Sequence, residues 1–79
     1  MRAKSEQQIK IFCKNVKKLR IANNLTKTEM ARLLDISVYA LSLLERGVLP
    51  HRMNCMVLYN IHDNFGIMPS EMLMEWREE

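Results

Sequence analysis

At 79 residues the chain is one domain at most, and a domain of that size buries only about 60% of its unfolded surface. Hydrophobic residues at 48% exclude a disordered tail, and no apolar run approaches the roughly 18 residues of a membrane span. The net charge of +3 is unevenly placed: residues 1–32 carry nine Lys/Arg against two Asp/Glu (+7), and residues 33–79 carry three against seven (−4). A basic half favours a polyanion on one side. Lys10, Lys14, Lys17 and Lys18 suit equally well the solvated face of an amphipathic helix.

Two Gly and two Pro leave few obligatory turns, which predicts helices joined by short connections. The first seven residues have no apolar core behind their charges, so they do not read as a signal peptide, and a cytoplasmic location is expected. Ser5 and Gln8 form a capping box that predicts a first helix over about 6–23. Its apolar positions are Ile9, Phe12, Cys13, Val16 and Leu19, with the lysines mostly opposite and Asn23-Asn24 as the stop. Thr26 and Glu29 form a second capping box, opening a helix over 27–34 with Met30, Ala31, Leu33 and Leu34 as its apolar part. Asp35-Ile36-Ser37 breaks the pattern. Ser37 then caps a third helix over 38–46, with Ala40, Leu41 and Leu44 on one side and Gly47 as its left-handed end. Pro50 suits a loop or the first turn of a fourth helix over about 52–64. Cys55, Leu58, Tyr59, Ile61 and Phe65 are its apolar positions, and Gly66 ends it. Pro69-Ser70-Glu71 opens a fifth helix whose inner face is Met72, Leu73 and Trp76.

Cys13 and Cys55 do not make a disulfide framework and read as two reduced, packed thiols. His51 and His62 lack a carboxylate pattern around them, so no structural zinc is expected, nor any other cofactor. The chain also lacks a nucleophile–base cluster and a Gly-rich phosphate loop, which argues against an enzyme and gives no sign of a small-molecule ligand.

The second and third helices, joined by three residues, have the spacing of a helix-turn-helix. Ala31 is small enough to let the next helix cross closely. Asp35 tolerates a left-handed backbone in the turn. Ile36 and Leu41 supply the apolar lock after it.

The stretch Leu25-Thr26-Lys27-Thr28-Glu29-Met30-Ala31-Arg32-Leu33-Leu34-Asp35-Ile36-Ser37 continues to Leu41, Leu44-Glu45-Arg46-Gly47 and Pro50. It resembles the Cro/C1-type (XRE) family of phage repressors and bacterial regulators, over about residues 12–74. Phe65-Gly66-Ile67 and Ser70-Glu71-Met72-Leu73 are similar to the closing helices of that family. The resemblance implies an all-α, five-helix, lambda-repressor-like DNA-binding domain, a single unit over 1–79 with the helix-turn-helix at helices 2 and 3. It also implies that Arg20 pairs with Glu45 as a fold determinant.

The implied function is that of a transcriptional regulator, a repressor by analogy, bound to double-stranded DNA as a homodimer. Helix N-termini favour anions, so phosphates are expected at Thr26 and Lys27 and, at the start of helix 4, at His51 and Arg52 with Asn54 nearby. Lys27 stands where the family commonly has Gln. Arg46 and Lys17 are further phosphate candidates. The base-facing positions are Ser37, Val38, Tyr39, Ser42 and Leu43, and here the chain departs from the family pattern. None is an Arg, Gln or Asn able to bond a base edge at two points, although Val38 and Leu43 suit thymine methyls. Two outcomes stay open. The domain reads DNA mainly through phosphates and shape, with a mild preference for A·T-rich sites. Alternatively, the apolar face Val38-Tyr39-Leu43, with Val48 and Leu49, binds protein on a helix-turn-helix scaffold. Met68, Met72, Met74 and Trp76 supply the apolar area for a dimer contact, or Trp76 folds back onto helix 1 against Phe12 or Ile9.

Overall fold

The computed structural model describes the backbone of residues 2–49 and 56–76, and the side chains of 7–49 and 56–76. Within them the chain forms five helices and no strand: α1 (Arg2–Ala22), α2 (Lys27–Leu34), α3 (Val38–Glu45), α4 (Met56–Phe65) and α5 (Pro69–Met72). None of these is long and apolar enough to cross a membrane.

Helix α1 starts at Arg2, three residues before the expected cap. Ser5 therefore lies inside the helix, where serine costs only a fraction of a kcal/mol, roughly 0.5 relative to alanine. Phe12, Cys13, Val16 and Leu19 form the buried face, as their spacing requires.

Three of the helices end in one way. The residue after each last turn adopts a left-handed backbone: Asn24 at φ 56°, Asp35 at φ 59° and Gly47 at φ 90°. Two hydrogen bonds then close each end. Leu25 N–H donates to Arg20 O at 3.0 Å, Ile36 N–H to Ala31 O at 2.9 Å, and Val48 N–H to Leu43 O at 2.9 Å. Each partners a bond that spans fewer residues, from the preceding N–H to the carbonyl three residues back, the geometry of a Schellman motif. Asparagine and aspartate tolerate this region better than most side chains, which is why two of the three positions need no glycine.

The starts of α2 and α3 are equally local. Thr26 Oγ1 accepts from Glu29 N–H at 3.1 Å, and Glu29 Oε1 accepts from Thr26 N–H at 2.8 Å. Ser37 Oγ accepts from Ala40 N–H at 3.0 Å. At the other end of α2, the side-chain amides of Asn60 and Asn64 on α4 donate to Leu34 O at 3.1 Å and Leu33 O at 3.2 Å. These bonds supply partners for carbonyls that a helix C-terminus leaves open, and they join α2 to α4.

Helix α1 packs on α3 and α5, α2 on α3 and α4, and α4 on α5. Val16, Met30, Leu34, Leu41, Leu44, Ile61 and Met72 meet in the centre. In α4 the inward row is Val57 and Ile61, with Leu58 and Phe65 packed beside it. Tyr59, expected inside, is 57% exposed, because it lies on the opposite side from Val57 and Ile61. The expected start of this helix near residue 52, with Pro50 and Cys55, lies outside the described residues.

Helix α5 is a single turn, with Pro69 at its first position and Glu71 Oε1 accepting from Met68 N–H at 2.9 Å. Its inward residue is Met72. Leu73 is exposed, because the chain leaves the helix there, and Trp76 lies beyond the helix, partly buried against the core. Main-chain contacts then fasten the segment to α1. The amide of Asn15, 1% exposed, donates to Met72 O at 2.8 Å and Met74 O at 2.7 Å. Lys18 Nζ reaches Trp76 O at 3.2 Å, and Trp76 Nε1 donates to Glu71 O at 2.8 Å. Met72 is thus core and offers nothing to a dimer contact, and Trp76 folds back. Met68 and Met74 remain exposed.

Burial pushes the Cys13 thiol above its ordinary value of 9.0, with a backbone hydrogen bond pulling weakly the other way. The folded chain therefore holds this proton more tightly than the unfolded one. The contribution to stability is complete below the ordinary thiol range and is lost as pH rises through the folded value. In a Cys55→Ser background, Cys13 is expected to resist alkylation at pH 8 until urea unfolds the chain. Equal labelling rates in the native and unfolded states would contradict its burial.

Candidate nucleic-acid interface

Helix α3 has a sharply divided surface. Leu41 and Leu44 point into the core, both 0% exposed. With about 100° between successive residues, the direction opposite them falls on Tyr39 and Arg46, two turns apart. Ser42 and Leu43 lie on either side of that line, and Val38 stands at its N-terminal edge. Exposure is greatest on that line and at the N-terminal edge. Tyr39 is 74% exposed and Val38 42%, while Ser42 and Leu43 are half-buried. Val48 and Leu49, just past the helix, are also exposed. Glu45 falls on the inward flank, where α1 reaches it.

That contact is a two-point ion pair. Arg20 Nε donates to Glu45 Oε2 at 2.7 Å and Nη2 to Oε1 at 3.1 Å. The third arm of the fork, Nη1, donates to Leu25 O at 3.2 Å. Only a guanidinium offers three donors in one plane at these angles. The Glu45 side chain is 4% exposed and that of Arg20 15%, so the pair lies mostly away from water. It ties the last turns of α1 and α3 together and fixes how α3 presents its outer face.

The expected phosphate residues divide into three groups. Lys17, Lys27 and Arg46 are exposed. Lys27 is the first residue of α2 and Arg46 the residue that caps α3, so these two charges stand on the two packed helices. Thr26 is exposed, but its N–H and one lone pair are already used within the capping box, leaving the hydroxyl proton as its donor. His51 and Arg52, with Asn54, lie outside the described residues. Of the base-facing set, Ser37 is committed as a cap acceptor. Its hydroxyl proton, like that of Thr26, remains as a donor, so the polar groups on the outer face of α3 are the Ser37 and Tyr39 hydroxyls, the Arg46 guanidinium and the half-buried Ser42.

Among the described residues no group of three or more His, Cys, Asp or Glu side chains could hold a metal ion. Asn15, which fastens the C-terminal segment, was not singled out by the sequence. Its signal was position: it is three residues after Phe12 and four before Leu19, on the apolar side of a lysine-rich helix. Comparison with family models, with curated proteins and with solved structures finds no match to the chain.

Proposed function

We propose that α2 and α3 act as a helix-turn-helix of the Cro/C1 repressor type, with α3 in the major groove of duplex DNA, and that the chain is a transcriptional regulator. The observation that carries this reading is the divided surface of α3. One side is locked by Leu41, Leu44 and Glu45, and the other is open along Tyr39 and Arg46. A short helix held so firmly from behind, beside exposed Lys27 and Arg46, suits rigid presentation to a polyanion. The left-handed Asp35 and the buried Ala31, 2% exposed, support the same geometry. In this reading phosphates are neutralised by Lys17, Lys27 and Arg46, and two copies pair through the surface that carries Met68, Leu73 and Met74. Paired copies would address half-sites about 34 Å apart.

A random duplex pool titrated at increasing salt tests it. Three phosphate contacts per copy predict a log–log slope of affinity against salt of about −2.7 per copy, at roughly −0.9 per contact. The complex is expected to contain two chains per duplex. Absence of binding at about 50 mM salt would exclude the DNA reading, and a single chain on the bound duplex would exclude the dimer. The alternative, a helix-turn-helix scaffold that binds protein through Val38, Tyr39, Val48 and Leu49, draws on the exposure of those four apolar side chains.

A further inference from the structure

We infer that the outer face of α3 selects DNA by its C5-methyl groups: it favours duplexes with methylated pyrimidines in the major groove, thymine or 5-methylcytosine alike. The inference rests on the DNA reading above and gives it a ligand chemistry.

Three observations lead to it. First, the face lacks the side chains that read base edges at two points. Neither Asn nor Gln occurs in α3, and its one guanidinium, Arg46, sits at the C-terminal end of the helix. The Ser37 hydroxyl accepts from Ala40 N–H and keeps a single donor, and Ser42 is half-buried. Second, what the first turn exposes is a methyl-bearing branch and a ring, Val38 at 42% and Tyr39 at 74%, with Leu43 one turn on beside Tyr39. Each is held on a helix whose rear is fully packed, so the face cannot fold inward to hide them. Third, the surroundings are cationic. Arg46 stands on the same face two turns from Tyr39, and Lys27 opens the helix packed against α3. An apolar strip that ends at a guanidinium complements a groove that is apolar where a methyl projects and lined by phosphates.

In the major groove, the only apolar feature that distinguishes base pairs is the C5-methyl of thymine. Methylation of cytosine at C5 places the same group in the same groove. An apolar face that reads thymine should therefore gain affinity for methylated cytosine, and it should lose its preference when thymine is replaced by uracil. Removal of one methyl from water is expected to change affinity about fourfold. Two contacted methyls give about fifteenfold.

The test uses four duplexes of equal length bound to the full chain at one salt concentration: alternating A·T, the same with uracil for thymine, alternating G·C, and the same with 5-methylcytosine. Anisotropy titrations are expected to rank thymine above uracil and 5-methylcytosine above cytosine by similar factors. The salt slopes of all four should coincide, because the phosphate contacts do not change. The double variant V38S/Y39S, altered only at exposed positions, should bring both ratios to about one. Equal affinities within each pair, with a steep salt slope retained, would overturn methyl reading and leave DNA binding intact. A gain for thymine without one for 5-methylcytosine would also overturn it, in favour of A·T shape. No binding to any duplex would end both readings and assign the face to a protein surface.

Discussion

Arg20→Ala is expected to lower stability by about 3 kcal/mol, the lower end of what breaking a buried ion pair costs. The substitution removes three hydrogen bonds at once: two to Glu45, at 2.7 and 3.1 Å, and one to Leu25 O at 3.2 Å. It leaves the Glu45 carboxylate, 4% exposed, without its cation. For a domain of this size each kcal/mol shifts Tm by about 4–8 °C, so a fall of ~12 °C or more is expected. Total stabilities are only about 5–15 kcal/mol, so the variant would be marginal. Arg20→Lys should recover only part of the loss, since an ammonium lacks the planar fork. The double variant R20M/E45L should be more stable than R20A, because no unpaired charge remains. Urea unfolding of the four proteins checks the order. If R20A lies within about 0.5 kcal/mol of the parent, the range of an ordinary surface change, the pair does not brace α3.

The second large effect is expected at Asn15. Asn15→Ala removes two bonds that span nearly the whole chain, to Met72 O at 2.8 Å and Met74 O at 2.7 Å. A buried acceptor left without its donor costs about 1–3 kcal/mol beyond the lost bond itself, and Met72 is wholly buried. A loss of about 3 kcal/mol is expected, with hydrogen-exchange protection falling first in residues 72–76. Asn15→Asp should be worse at neutral pH, because it aims a carboxylate at two carbonyl oxygens. Lowering the pH should relieve that variant, since the neutral acid can donate one bond. If N15D proves as stable as N15A at pH 7, the carbonyls do not face this side chain.

What was legible in the sequence is what short-range chemistry encodes. The range Lys27–Leu34 and the start of α3 at Val38 follow from Thr26, Glu29 and Ser37, whose caps reach only three residues. The left-handed residue between them is Asp35, as its side chain and place suggest. The same logic misled at Ser5, because a capping box is a pattern that a longer helix can also contain. It failed again where tertiary contacts decide. Tyr59 fits an apolar period on α4, yet Val57 is the residue turned inward. Met72 and Trp76 fit an inner face and a dimer contact alike in the sequence, and only the folding of the segment against α1 decides for the core. No local rule shows that a polar Asn15 is the fastening point, since its partners are carbonyls 57 and 59 residues away. At the candidate site, the Arg20–Glu45 pair and the outward Tyr39 are as the resemblance implies, although periodicity alone, which does not give how α1 and α3 cross, would not have found the pair.

The fastening of the C-terminal segment has a consequence for which substitutions the chain can accept. Asn15 and Lys18 grip carbonyls of residues 72, 74 and 76, and carbonyls are common to every amino acid. The closure is therefore blind to the side chains at Met74 and Glu75, both exposed. As far as this closure is concerned those positions accept many residue types, while Asn15 is held to one. The tolerance of this region is set from the other end of the chain.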